Sequence, residues 1–283
     1  MPASSNLIPP GKGYIRGFDG LRAIAVLMVI SNHLDTAGGK YFNITDGVMI
    51  FFVMSGFLIT GILLNDVHRS IVRFFARRVL RLYPALILYL GAVVIFGRFG
   101  WSNAIPMAVI AGFAYFTNFV PTRILARETS HLWSLGVEEE QFYLVWPFVV
   151  VISHLRRLTL PLAVIGVAAS WALSVWPIDD PTRHVERMFI PAADSILMGC
   201  IVALIVCSSI GISHKVVAFR GVLAVAVACY LAPRWLTIPI VSARMSEVAV
   251  SYVQRLGVVV LILWVCSQQA SRLVSPASGM GPL

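Results

Sequence analysis

Arg22 and His33 stand eleven residues apart in the first long apolar run of the chain, Phe18 to Leu34 (FDGLRAIAVLMVISNHL). Eleven residues of helix turn through about 1100° and rise roughly 16 Å, so the two positions share a face and span about half of a bilayer's hydrocarbon core. Ionisable side chains at that depth are costly, and their default reading is functional. Histidine changes charge nearest neutrality, which suits it to take a proton from a hydroxyl. The structural alternative makes His33 an interfacial residue satisfied by Asn32 or a carbonyl, and Arg22 an anchor at the cytoplasmic surface.

Three further constellations carry chemistry. In Ser70 to Pro84 (SIVRFFARRVLRLYP), Arg73, Arg77 and Arg81 recur every fourth residue with Arg78 beside them. Such a stripe can fork the phosphates of a nucleotide-like donor, or it can simply anchor a cytoplasmic surface. In His131 to Pro147 (HLWSLGVEEEQFYLVWP), Glu138, Glu139 and Glu140 adjoin an aromatic run. On a helix, His131, Ser134, Glu138 and Gln141 share a face, where a carboxylate can orient a histidine or bind sugar hydroxyls beside Trp133. An acidic helix start favoured by the macrodipole is the plainer reading. In Asp46 to Thr60 (DGVMIFFVMSGFLIT) the glycines permit close helix packing, with Ser55 as a possible substrate contact. Asp194, in Pro191 to Gly199 (PAADSILMG), either pairs with Arg187 or lines a polar cavity.

The elements that must position these residues are membrane helices. The 283 residues are 58% hydrophobic and only 12% charged, against about 25% charged in an ordinary soluble domain. The expectation is an all-α, polytopic transmembrane bundle. Apolar runs at 18–34, 44–65, 82–97, 104–121, 140–154, 160–176, 189–208, 221–233 and 248–267 predict about eight or nine spans. The net charge of +9 follows from Lys and Arg collecting in cytoplasmic loops, so no nucleic-acid partner is implied. Lys12 and Arg16 before the first run, and the arginines of 66–81 after the second, place the N-terminus in the cytoplasm. A full crossing by 104–121 would put Arg156 and Arg157 outside, against the charge rule; a re-entrant segment would not. No cleavable leader is expected ahead of the first run. Cys200, Cys207, Cys229 and Cys266 read as small core residues, with neither disulfide nor metal spacing. The expected organisation is a cytoplasmic segment 1–17, a membrane domain 18–270 and a short tail 271–283.

These blocks, in this order, resemble the acyltransferase 3 family of bacterial integral-membrane proteins, which O-acylate cell-envelope carbohydrates and other acceptors. The likeness runs from FDGLRAIAVLMVISNH through GVMIFFVMSGFLIT, FFARRVLRLYP and HLWSLGVEEEQFYLVWP to PAADSILMGCIVAL. It implies that the family's basic-residue-to-histidine motif falls on Arg22 and His33, the latter essential. Its arginine cluster then falls on Arg77, Arg78 and Arg81, near where an acyl-CoA donor enters from the cytoplasm. Its Glu-Glu-Gln-Phe-Tyr block falls on Glu139, Glu140, Gln141, Phe142 and Tyr143. Relatives have two glutamates where this chain has three, so counting from Ser134 selects Glu138 and Glu139, and counting back from Gln141 selects the next pair. Met49 stands where relatives are often polar. The chain ends at SPASGMGPL, where relatives continue into one more span, so the expected bundle lacks the last span.

The expected function is transfer of an acetyl or other short acyl group from acetyl-CoA, or another acyl-CoA, to a hydroxyl of a glycan or lipid-linked saccharide at the bacterial inner membrane. Acyl-CoA is a co-substrate, with no tightly bound cofactor or metal. His33 serves as general base, or carries the acyl group covalently, with Arg22 and Glu139 in support. Two rival expectations are a proton-coupled transporter using His33, Glu139 and Asp194, and an inactive truncated remnant.

Overall fold

The structure, a computed structural model, describes residues 15–33, 44–65, 71–121, 125, 127–130, 132, 141–151, 156–175, 193–207, 220–231 and 243–274. These residues form helices α1 (Arg16–His33), α2 (Ile44–Asn65), α3 (Ile71–Arg98), α4 (Pro106–Phe113), α5 (Arg127–Ser130), α6 (Tyr143–Val151), α7 (Arg156–Val175), α8 (Asp194–Val206), α9 (Arg220–Leu231) and α10 (Ala243–Val274). A 3₁₀ turn covers Thr117–Phe119, and no strand occurs among the described residues. Four helical stretches are long and apolar enough to cross a membrane: Gly47–Leu64, Phe74–Arg98, Leu158–Val175 and Val248–Gln268. The remaining apolar runs form shorter helices, or in α1 an 18-residue helix carrying Arg16, Asp19 and Arg22. The chain divides into two compact units, one of residues 1–65 and 195–283, the other of residues 66–194.

In the first unit α2 is the hub. It packs against α1 and α10, and α9 covers α10. Of its membrane-crossing stretch 67% is buried, against 17–22% for the other three, so α2 is sheathed by protein while they keep open apolar faces. The buried stripe of α1, Phe18, Leu21, Ala25 and Met28, meets Met49, Ile50, Val53, Met54 and Phe57 of α2, with Val258, Ile262 and Cys266 of α10 closing the core. The rings of Phe18 and Phe57 meet edge to face at 5.7 Å. Glycines let backbones touch: a Cβ on Gly56 would strike the carbonyl of Ile196, and one on Gly199 the carbonyl of Val53, so α2 and α8 cross main chain to main chain. A Cβ on Gly47 would lie 2.6 Å from the carbonyl oxygen of Ala25. Van der Waals contact at small residues is what holds helices together where lipid removes the hydrophobic drive.

In the second unit α3 runs unbroken through Pro84 for 28 residues, about 42 Å, close to the thickness of a bilayer with its headgroups. Arginines occupy its first turns. Phe96 and Phe99 meet Trp101 just beyond its end, at 5.7 and 6.0 Å, the amphipathic rings expected at an interface.

The structure bears on the segment whose crossing the sequence left open. Residues 104–121 do not form a crossing helix: α4 has 8 residues, about 12 Å, under half of the roughly 30 Å of hydrocarbon. Its end is a left-handed turn at Tyr115, φ 57°. The Phe116 amide donates to the Ala111 carbonyl at 2.8 Å and the Tyr115 amide to Gly112 at 3.3 Å, the bonding of a Schellman stop.

The glycine contacts yield a stability test. Gly56→Ala and Gly199→Ala should each destabilise the protein by about 1–3 kcal/mol through overpacking. Gly91→Ala on α3, where nothing lies within 4 Å, should be neutral or stabilising by about 0.5–1 kcal/mol. Denaturant unfolding in detergent measures both; equal effects at the three sites would contradict the close crossing.

Candidate functional site

In the first unit, α1 carries both Arg22 and position 33. The register puts both about a quarter turn from the buried stripe, at its rim. Arg22 donates through Nη1 to Asp19 Oδ1 at 3.2 Å, both side chains partly exposed. Asp19 was missed by sequence reasoning, although a carboxylate three residues before an arginine on a helix is a recognisable signal. The His33 side chain lies outside the described residues. Ser55 is half-buried on α2, next to the Gly56 crossing.

A second polar group in this unit was also missed. Arg255 lies within the apolar stretch Val248–Gln268 of α10, and its Nε donates to Ser195 Oγ of α8 at 2.9 Å. Its guanidinium sits 4.9 Å from the centre of the Tyr252 ring. Gln254 and Ser195 are buried. The signal was present, a lone arginine in an apolar run, the same signal that singles out Arg22. Asp194, the first residue of α8, is buried at 2% exposure; Arg187, its suggested partner, lies outside the described residues.

In the second unit the arginine cluster divides. Arg77 and Arg81 are exposed on α3, one turn apart and open to an anion. Arg78 turns inward, its guanidinium carbon 3.1 Å from the centre of the Tyr143 ring. Tyr143 is itself buried and also packs against Phe74, at 6.1 Å, while Phe142 stacks on Trp146 at 5.5 Å. Arg78 thus belongs to the link between the basic and aromatic blocks, where a cation over a buried ring gains from desolvation.

Gln141, in a π-helical turn leading into α6, exchanges hydrogen bonds with Asn118. Asn118 Nδ2 donates to Gln141 Oε1 at 3.1 Å, and Gln141 Nε2 donates to Asn118 Oδ1 at 2.8 Å. Gln141 Nε2 also lies 3.4 Å from the Tyr115 carbonyl oxygen. Glu138, Glu139 and Glu140 lie outside the described residues. Among the described residues no group of His, Cys, Asp and Glu could hold a metal ion, and Cys200 and Cys266 are buried core residues.

Comparison with known proteins adds identity to this geometry. The sequence model of a family described as "Acyltransferase domain" matches residues 15–274. YrhL of Bacillus subtilis strain 168 is 34% identical over 222 residues, covering 68% of this chain and 33% of that protein. Peptidoglycan O-acetyltransferase OatA of Listeria monocytogenes serovar 1/2a is 35% identical over 215 residues, 68% of this chain and 34% of its own length. O-acetyltransferase OatA of Staphylococcus aureus strain NCTC 8325 is 36% identical over 155 residues, 48% of this chain and 25% of its own length. The chain thus spans about a third of the length of the first two curated relatives. No solved structure matches.

The division of the arginines is open to a double-mutant cycle. Arg78→Met with Tyr143→Leu should show a coupling of about 0.5–2 kcal/mol in unfolding experiments. Arg77→Met or Arg81→Met with Tyr143→Leu should show none, and coupling of all three arginines to the ring would remove the distinction.

Proposed function

This chain belongs to the acyltransferase 3 family, and from that premise we propose that it is a membrane-bound O-acyltransferase moving an acetyl or similar short acyl group from acyl-CoA to a glycan hydroxyl. The observation that carries the reading is the family match over residues 15–274, joined by relatives whose names give O-acetyl transfer and, in two, peptidoglycan. The acceptor on this reading is a cell-envelope glycan or a lipid-linked saccharide.

His33 takes the proton of the acceptor hydroxyl, the oxygen attacks the thioester carbonyl, and the C–S bond breaks as the proton passes to the CoA thiolate. Arg22, steadied by Asp19, stabilises the negative charge on the carbonyl oxygen. Arg77 and Arg81 grip the CoA phosphates, which their exposure permits. Arg78 holds the aromatic block instead. A glutamate of 138–140 orients the histidine or the sugar. The protein sits in the bacterial inner membrane as a bundle of about eight spans, N-terminus in the cytoplasm. Because residues 104–121 do not cross, the alternation returns Arg156 and Arg157 to the cytoplasmic side, as the positive-inside rule requires.

Two measurements test the reading. Purified protein should transfer radiolabelled acetyl from acetyl-CoA to a glycan fragment, and His33→Ala should lower the rate by about 10²–10⁴-fold while CoA binding in detergent persists. A wild-type rate in His33→Ala would sink the assignment. In a separate binding experiment, Arg77→Ala/Arg81→Ala should weaken CoA binding and leave unfolding unchanged; uptake driven by a pH gradient without CoA would point to a carrier instead.

A further inference from the structure

We propose that Glu128 is an acceptor-binding residue, its carboxylate receiving hydroxyl groups of a saccharide near the middle of the membrane. The inference rests on the acyl-transfer reading above. Its starting point is the depth at which α5 sits. The Tyr89 hydroxyl of α3 donates to the Glu128 carbonyl at 2.6 Å. Leu132, just beyond α5, shares a core cluster with Leu86 and Leu90 of α3 and with Tyr115. Leu86 is the middle residue of the crossing stretch Phe74–Arg98, so Tyr89 stands about 4.5 Å from its centre along the axis. Counting instead from Arg81, the last arginine of the basic stripe, to Phe99 in the interfacial aromatic group puts the centre at Leu90, closer still. Either count leaves Tyr89 well inside the roughly 15 Å between the midplane and the headgroups.

Two features of this segment call for a polar ligand at that depth. Backbone outside regular helix persists in a membrane only where it is buried in protein or lines a water-filled cavity. Here the left-handed turn at Tyr115 and the four-residue α5 both lie against the centre of α3. Glu128 is only half-buried and Tyr89 is 38% exposed, so the segment borders an open surface. A carboxylate at mid-depth is also costly, and such groups mark substrate or proton paths. Among the described residues no cation pairs with Glu128. The chemistry then selects the ligand. An ionised carboxylate only accepts hydrogen bonds, and the Tyr89 oxygen, its proton committed to the Glu128 carbonyl, can only add acceptor capacity. Whatever binds must donate, as a row of sugar hydroxyls does. A phosphate would be repelled, and a metal ion would need further ligands that the described residues do not supply. Tyr89 is eight residues beyond Arg81, about 12 Å along α3, so donor phosphates and acceptor hydroxyls take separate places on that helix.

The test sets acceptor binding against turnover and stability. In equilibrium dialysis without acetyl-CoA, a radiolabelled peptidoglycan disaccharide should bind the purified protein in detergent. Glu128→Gln should weaken that binding about ten- to a hundredfold, as for loss of a charged hydrogen-bond partner. KM for the disaccharide should rise in step while KM for acetyl-CoA is unchanged. Tyr89→Phe, which releases the α5 backbone but keeps the carboxylate, should weaken binding by a smaller factor. A residue kept for binding costs stability, so Glu128→Leu should unfold at an equal or higher denaturant concentration than the unaltered protein. Loss of the fold in both Glu128→Leu and Glu128→Gln would assign the carboxylate to structure and overturn the proposal; should Glu128→Leu alone fail to fold, Glu128→Gln decides. No disaccharide binding by the unaltered protein, unchanged binding in Glu128→Gln, or a fall in kcat with both KM values intact, the mark of a proton carrier, would overturn it as well. If the unaltered protein binds the disaccharide yet transfers no acetyl, the acyl-transfer reading falls and the site stands. If it transfers acetyl and Glu128→Gln does so with the same KM, the site falls and the reading stands.

Discussion

The crossing of α2 and α8 at Gly56 and Gly199 is the contact on which the first unit depends, because there each helix presents its backbone to the other's. In lipid there is little gain in burying one apolar side chain against another, so close packing and satisfied polar groups must hold the helices. Both are found together here. The close approach brings the first turn of α8 toward α10, and there Ser195 accepts from Arg255. A charged side chain in an apolar helix is tolerable only with such a partner. The same crossing leaves α2 sheathed and frees α1 to show an apolar outer face, with Ile24, Val26, Leu27 and Ile30 all exposed.

In the second unit the chemistry is divided among residues of one type. Three arginines within five positions of α3 meet different surroundings, two open and one laid against Tyr143. The division follows from helical phase: Arg77 and Arg81 are one turn apart, and Arg78 is rotated by about 100° from Arg77. One short motif therefore leaves one face open to solvent and holds the aromatic block with another.

Much of this was legible in the sequence. The run 44–65 matches α2, and 18–34 matches α1 to within two residues, because long uninterrupted apolar stretches leave no competing structure. The close-packing role of Gly47 and Gly56 also followed from their type. Hydropathy left the crossing of residues 104–121 undecided because it reports composition and is blind to the left-handed turn at Tyr115, a residue that gives no warning as glycine would. Asn118 was missed since a single amide in an aromatic run has no periodic partner; its partner is 23 residues away. Arg255 was hidden by treating its run as apolar throughout.

A neutral amide pair at the entry to α6 has a physical logic. Holding the start of α6 with an ion pair would require two charges to leave water, a penalty of several kcal/mol each that their attraction repays only in excellent geometry. Two amides meet the positional demand with partial charges alone, satisfy each other, and use the remaining donor of Gln141 on a backbone carbonyl. The arginine that does approach this block, Arg78, faces the ring of Tyr143, so its charge is taken up by a quadrupole two residues beyond Gln141. The entry to α6 is thereby fixed on one side by amides and on the other by an aromatic face.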